Sequence, residues 1–133
     1  MRMIRSTRAL IPILCGVLGL GACEKNIEPP FARGVCFHAV PLKNGQIRFN
    51  QLSVNQPDIE HCGASLEAMR EQFLGLGGGS ENIMGAYQGS YIFLESRGIF
   101  VSQSLHGTRY LALVRTGDGT LSTPGAAPLL QQQ

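Results

Sequence analysis

Residues 55–77 read NQPDIEHCGASLEAMREQFLGLG. From residue 59 onward the apolar side chains recur at steps of three and four: Ile59, Cys62, Leu66, Met69, Phe73. This is the spacing of one apolar stripe, so the stretch predicts an amphipathic helix of about 16 residues. Pro57 suits the first turn, with Asn55 or Gln56 near the N-cap, and the glycines that follow suit a C-cap. A solvated helix face is expected for the charged residues between: Glu60, Glu67, Arg70, Glu71.

Strand-like segments lie on both sides of this helix. Residues 35–40 and 46–54 are separated by Asn44-Gly45, a dipeptide typical of β-hairpin turns. After the helix, residues 83–87, 91–95, 99–104 and 109–115 alternate between glycine-containing turns, which predicts an antiparallel β-meander of three to four strands. The predicted fold class is therefore α+β: a small single domain with an N-terminal β-hairpin and one amphipathic helix packed on the sheet.

The first 22 residues have the layout of a secretory signal peptide. Arg2, Arg5 and Arg8 precede a short apolar run over residues 9–22 that contains a proline and several glycines. The alternative is a retained membrane helix, but such a helix needs about 20 apolar residues and this run is shorter. We therefore expect the leader to be removed.

The end of the leader carries a recognisable motif. Leu20-Gly21-Ala22-Cys23 resembles the lipobox of bacterial lipoproteins, and the resemblance covers the leader only. It implies cleavage before Cys23 and acylation of Cys23, which anchors the protein in a membrane through lipid. Cys15 fits this pattern poorly because bulky Leu14 precedes it. Glu24 after the cysteine resembles lipoproteins sorted to the outer membrane, which predicts a location there, facing the periplasm.

These observations divide the chain into four parts. They are a signal peptide (1–22), a lipidated tether (23–33), the α+β domain (34–118) and a disordered tail (119–133) rich in proline and glutamine. From Cys23 onward eight Lys and Arg stand against nine Asp and Glu, a net charge of −1. No basic run remains, which argues against a nucleic-acid partner.

Two cysteines remain in the mature domain. Cys36 and Cys62 are predicted to form a disulfide, because an even pair of thiols in an exported domain most simply oxidises. The alternative is a zinc or copper site made by Cys36, His38, His61 and Cys62, since thiolate and imidazole suit both metals.

The sequence contains few candidates for catalysis. Ser102, Ser104 and His106 lie close together, but no nucleophile motif or metalloprotease motif accompanies them. We therefore expect a non-enzymatic envelope lipoprotein without a cofactor that contacts an envelope protein or polymer, the alternative being a periplasmic metal-binding or small catalytic domain. Aromatic and arginine side chains favour interfaces, so the predicted recognition surface comprises four residues of the meander: Tyr87, Tyr91, Arg97, Arg109.

Overall fold

The helix and the strands follow one another in nearly the predicted order. The computed structural model describes residues 26–78 and 82–125. Within them the elements are β1 (Cys36–Pro41), β2 (Ile47–Ser53), α1 (Ile59–Gly75), β3 (Ile83–Tyr87), β4 (Ser90–Glu95), β5 (Gly98–Ser102), β6 (Tyr110–Arg115) and β7 (Leu121–Ser122). The predicted signal peptide with Leu20-Gly21-Ala22-Cys23 lies outside the described residues, and so does the C-terminal part of the predicted tail, residues 126–133.

The strands form one antiparallel sheet in the order β2-β1-β3-β4-β5-β6-β7. The hairpin of β1 and β2 joins the meander through the β1–β3 pair, and α1 makes the connection from β2 to β3. The predicted α+β class, with one helix on an antiparallel sheet, is confirmed. The sheet also extends further than expected, because β7 pairs with β6 inside the segment 119–133 that was predicted as a tail.

The turn between β1 and β2 forms as its sequence predicts. Gly45 has a φ of 81°, a conformation that favours glycine. The side-chain oxygen of Asn44 accepts a hydrogen bond from the backbone N–H of Gln46 at 3.0 Å. This local bond fixes the reversal and with it the register of the hairpin.

Asp58 is the N-cap of α1. Its carboxylate accepts a hydrogen bond from the backbone N–H of His61 at 2.8 Å, which satisfies one of the unpaired donors of the first turn. The sequence predicts an N-cap near Asn55 or Gln56, but the structure places it at Asp58. Pro57, predicted in the first turn, therefore precedes the helix. The carboxylate is the better acceptor for the free N–H groups, and this explains the difference.

The core lies between α1 and one face of the sheet. From the helix it takes Cys62 and Leu66, and from the strands a set of buried side chains: Cys36, Ile83, Tyr87, Ile92, Leu94, Ile99, Leu113. The helix approaches β3 closely at Gly85. A β-carbon there would overlap the side chain of Leu66 and lie 2.9 Å from the Phe37 carbonyl oxygen, so only glycine fits.

Glu67 is buried, so its expected place on a solvated helix face was wrong. Arg115 of β6 donates two hydrogen bonds to its carboxylate at 2.6 and 2.8 Å, and Arg70 donates a third at 3.2 Å. The hydrogen bonds from Arg115 lower the pKa of Glu67 despite its burial. Arg115 also donates to the backbone carbonyl of Glu95 at 2.6 Å and thereby links the helix to the hairpin of β4 and β5.

The opposite side of the sheet is aromatic. We call it the aromatic face and define it by five residues: Phe37, Phe49, Tyr91, Phe93, Phe100. Ring centroids lie 6.4 Å apart for Phe37 and Phe49, 6.4 Å for Phe49 and Tyr91, and 6.1 Å for Tyr91 and Phe93. Helix α1 does not cover this face, because α1 packs on the side that carries Cys36 and Ile92.

Residues 26–33 lie against the aromatic face. The hydroxyl of Tyr91 donates a hydrogen bond to the carbonyl of Ile27 at 2.5 Å, and Pro29 is buried. At the end of this segment the N–H of Gly34 donates to the side-chain oxygen of Gln88 at 2.9 Å. We call residues 26–33 the docked segment. It is the described part of the region that the sequence predicts as a tether.

Strand β2 forms one edge of the sheet. Among residues 26–78 and 82–125, no strand pairs with its outer side. The side chains of Arg48, Asn50 and Gln51 on this strand are exposed. No helix in the described parts of the chain has the length and apolar character needed to cross a bilayer.

Candidate functional site

Cys36 and Cys62 form a disulfide, as the sequence predicts. Cys36 opens β1 and Cys62 lies in the first turn of α1, and their Cα atoms are 5.2 Å apart. Both side chains are completely buried. The bond connects helix to sheet at the centre of the core, where its role is structural.

The alternative metal site is not assembled. Its two cysteines are joined to each other, so neither offers a thiolate. His61 is exposed at the start of α1, where Nδ1 lies 2.6 Å from Oδ1 of Asp58. His38 lies on β1, where burial, with a smaller effect of Arg48, lowers its pKa. In the portion of the chain that the structure describes, no three His, Cys, Asp or Glu side chains are placed to hold a metal ion.

The two tyrosines of the predicted recognition surface lie on opposite sides of the sheet. Tyr87 packs in the core beneath α1, and its hydroxyl donates to the carbonyl of Gln56 at 2.7 Å. Tyr91 belongs to the aromatic face and is fully buried, which raises its pKa. Both hydroxyls bond to backbone carbonyls of the chain itself. The structure therefore does not bring these tyrosines together on one surface.

The two predicted arginines do lie together, around Glu95. The guanidinium of Arg109 lies 3.7 Å from the centroid of the Phe93 ring and 2.5 Å from Oε1 of Glu95. The guanidinium of Arg97 lies 5.3 Å from the centroid of Phe100 and 3.5 Å from Oε2 of Glu95. Arginine over an aromatic ring gains a cation–π attraction while one side of the guanidinium stays available for hydrogen bonding.

Sequence reasoning missed Glu95 as the centre of this cluster. The signal was present in the strand spacing. Glu95 and Phe93 are two apart on β4 and so share one face, and β5 returns Phe100 opposite Phe93. The position of Arg109 could not be read in the same way, because a loop carries it back over the sheet.

A groove of about 740 Å³ opens beside this cluster. It lies where β3 is shorter than its two neighbours. On one side β1 continues to Pro41, past Ala39, its last residue paired with β3. On the other side β4 continues to Glu95, past the partner of Ile83, the first residue of β3. Its lining is mainly apolar, with Leu42, Ile47, Phe73 and Leu105 among the lining residues, and Glu95 and Arg109 supply charge. A concave apolar site with a few converging polar groups is typical of ligand binding, and this size is typical of such sites.

The serines proposed for catalysis serve the turn after β5. The hydroxyl of Ser102 donates to the carbonyl of Ser104 at 2.8 Å, and the N–H of Ser104 returns a bond to that hydroxyl at 3.3 Å. His106 is exposed and lines the groove. Because the Ser102 hydroxyl is held by backbone groups, this arrangement stabilises the turn and does not activate a nucleophile.

Comparison with known proteins adds no assignment. No protein family, no curated protein and no solved structure matches this chain.

Proposed function

We propose that this protein is a lipid-anchored lipoprotein of the bacterial envelope whose domain is a non-enzymatic binding module. Acyl chains on Cys23 hold it in the outer membrane, facing the periplasm. The groove beside Arg109 and Glu95 is the surface that contacts an envelope protein or polymer.

The observation that carries the proposal is the sequence Leu20-Gly21-Ala22-Cys23 at the end of a basic and then apolar leader. Multiple acyl chains on one residue give a stable anchor, because each buried methylene contributes about 0.8 kcal/mol. The leader also predicts export, and the disulfide supports it. Disulfides such as Cys36–Cys62 persist in oxidising compartments and are rare in the cytosol.

The anchor is tested on the full chain expressed in a Gram-negative host. We expect an intact mass that lacks residues 1–22 and carries added acyl mass, with the protein in the outer-membrane fraction. Cys23→Ser should abolish the acyl mass and release the protein from membranes. The leader supplies a matched control, because Cys15→Ser changes a cysteine that is removed and should leave both results unchanged. Membrane retention of Cys23→Ser would overturn the anchor.

The binding role is tested by crosslinking in intact cells. A photo-crosslinking amino acid at Leu42, a groove residue that is partly exposed, should capture a partner protein or envelope polymer. The control position is Tyr110 on β6, which is more exposed than Leu42 but does not line the groove. Capture at Tyr110 with none at Leu42 would show that the groove is not the contact surface.

A further inference from the structure

The chain between the lipid anchor and the domain is very short. The docked segment is held by the bond from Tyr91 to the Ile27 carbonyl and by the burial of Pro29. Cys23 therefore lies only four residues from a fixed point on the domain. Four extended residues span at most about 14 Å. A domain of this size is about 30 Å across, so the greatest possible distance between Cys23 and Ile27 is shorter than half its width.

A connection this short restricts which side of the domain can face the lipid. Ile27 lies over the aromatic face, on the side of the sheet opposite α1. The acyl chains must enter the bilayer within about 14 Å of Ile27, so the aromatic face is close to the headgroups.

We propose that the side of the domain formed by the docked segment and the aromatic face lies on the phospholipid surface, with α1 turned away from it. The groove lies at the opposite end of β3 and β4 from the docked segment, so it stays open to a partner at the edge of this side. The proposal rests on the lipidation of Cys23 put forward above. It assigns this surface one occupant, the headgroup layer of the bilayer that holds the acyl chains.

The exposed groups on this side suit a lipid interface. Phe31 in the docked segment is a large apolar side chain with 76% of its surface exposed. Arg97 lies over the aromatic ring of Phe100, a combination with an apolar body and a charged tip. Such groups settle at the boundary between headgroups and acyl chains.

Single tryptophan reporters test this orientation, because the chain contains no tryptophan. The full-length lipidated protein is reconstituted in vesicles of phosphatidylethanolamine and phosphatidylglycerol that contain brominated phospholipid, which quenches nearby indole rings. Phe31→Trp should lose emission and shift to shorter wavelength. The control Ala68→Trp, exposed on the outer face of α1, should do neither. Arg97→Trp is a second reporter on the membrane side and should behave like Phe31→Trp.

The outcomes separate the two proposals. If the intact mass shows the acyl chains but Phe31→Trp and Arg97→Trp keep their emission, the orientation is wrong while the anchor stands. Equal quenching of Ala68→Trp would also overturn the orientation. A sample that has no acyl mass overturns the anchor and this inference with it.

Discussion

Removing the disulfide should cost this domain a large part of its stability. Cys36 and Cys62 are separated by 26 residues. Closing a loop of that length restricts the unfolded chain by about 3.5 kcal/mol, which is an upper value because native strain reduces it. The net stability of a small domain is about 5–15 kcal/mol, so the bond accounts for a substantial fraction. We expect Cys36→Ala/Cys62→Ala to lose about 3 kcal/mol.

The assay is equilibrium unfolding in urea of the oxidised wild type, the reduced wild type and the double variant. A loss of about 3 kcal/mol lowers the midpoint by roughly 1–3 M at the urea dependence usual for small proteins. It also lowers the melting temperature by about 12–24 °C. The reduced wild type keeps both sulfur atoms, so it separates the loss of the bond from the loss of buried side-chain volume.

Two results would refute this reasoning. If reduction lowers the free energy of unfolding by less than about 1 kcal/mol, the disulfide does not restrict the unfolded chain as much as the length of its loop predicts. A reduced protein as stable as the oxidised one, beside a destabilised double variant, would assign the effect to the cavities left in the core.

Three further predictions concern single side chains. Glu67→Gln should cost about 1.5–3 kcal/mol in urea unfolding, because it removes the charge that Arg115 meets inside the protein. The pKa of Glu67 is lowered from 4.5 in the folded protein, so the unfolded chain binds more protons as the pH falls below about 4.5. The wild type should therefore lose stability over that pH range, and the variant should not. Parallel curves of stability against pH for the two proteins would contradict this. Gly85→Ala should destabilise by about 1–3 kcal/mol because the added methyl overlaps Leu66, and a melting temperature equal to wild type would show that α1 shifts at no cost. Tyr91→Phe should speed exchange of the Gly34 amide, whose N–H donates to Gln88 at the end of the docked segment, and leave the core amides protected; unchanged exchange of the Gly34 amide would mean that the Tyr91 hydroxyl does not hold the segment.

The fold could be predicted because its signals are local. The steps of three and four from Ile59 to Phe73 identified α1, and Asn44-Gly45 identified the hairpin. The pairing of Cys36 with Cys62 followed from the number of cysteines once the leader was set aside. Each inference needed only the composition or neighbouring residues, so it did not depend on the tertiary arrangement.

The site could not be predicted because it depends on partners distant in sequence. Glu67 appeared solvent-facing because its partner Arg115 lies 48 residues away. Tyr87 and Tyr91 are four apart, but the turn between β3 and β4 places them on opposite faces of the sheet. The groove arises from the unequal lengths of β1 and β3, and strand ends are poorly marked in sequence.

The unpaired outer side of β2 bears on self-association between copies of this protein in a membrane. Anchoring confines proteins to two dimensions, where collisions between like molecules are frequent, and an open strand edge is a template for self-association. The exposed side chains on β2, Arg48, Asn50 and Gln51, are polar. If a second copy paired with this edge, the charge of its Arg48 would lie near the charge of the first. In the proposed anchored state, the charge of Arg48 therefore opposes backbone pairing between the β2 strands of two neighbouring copies.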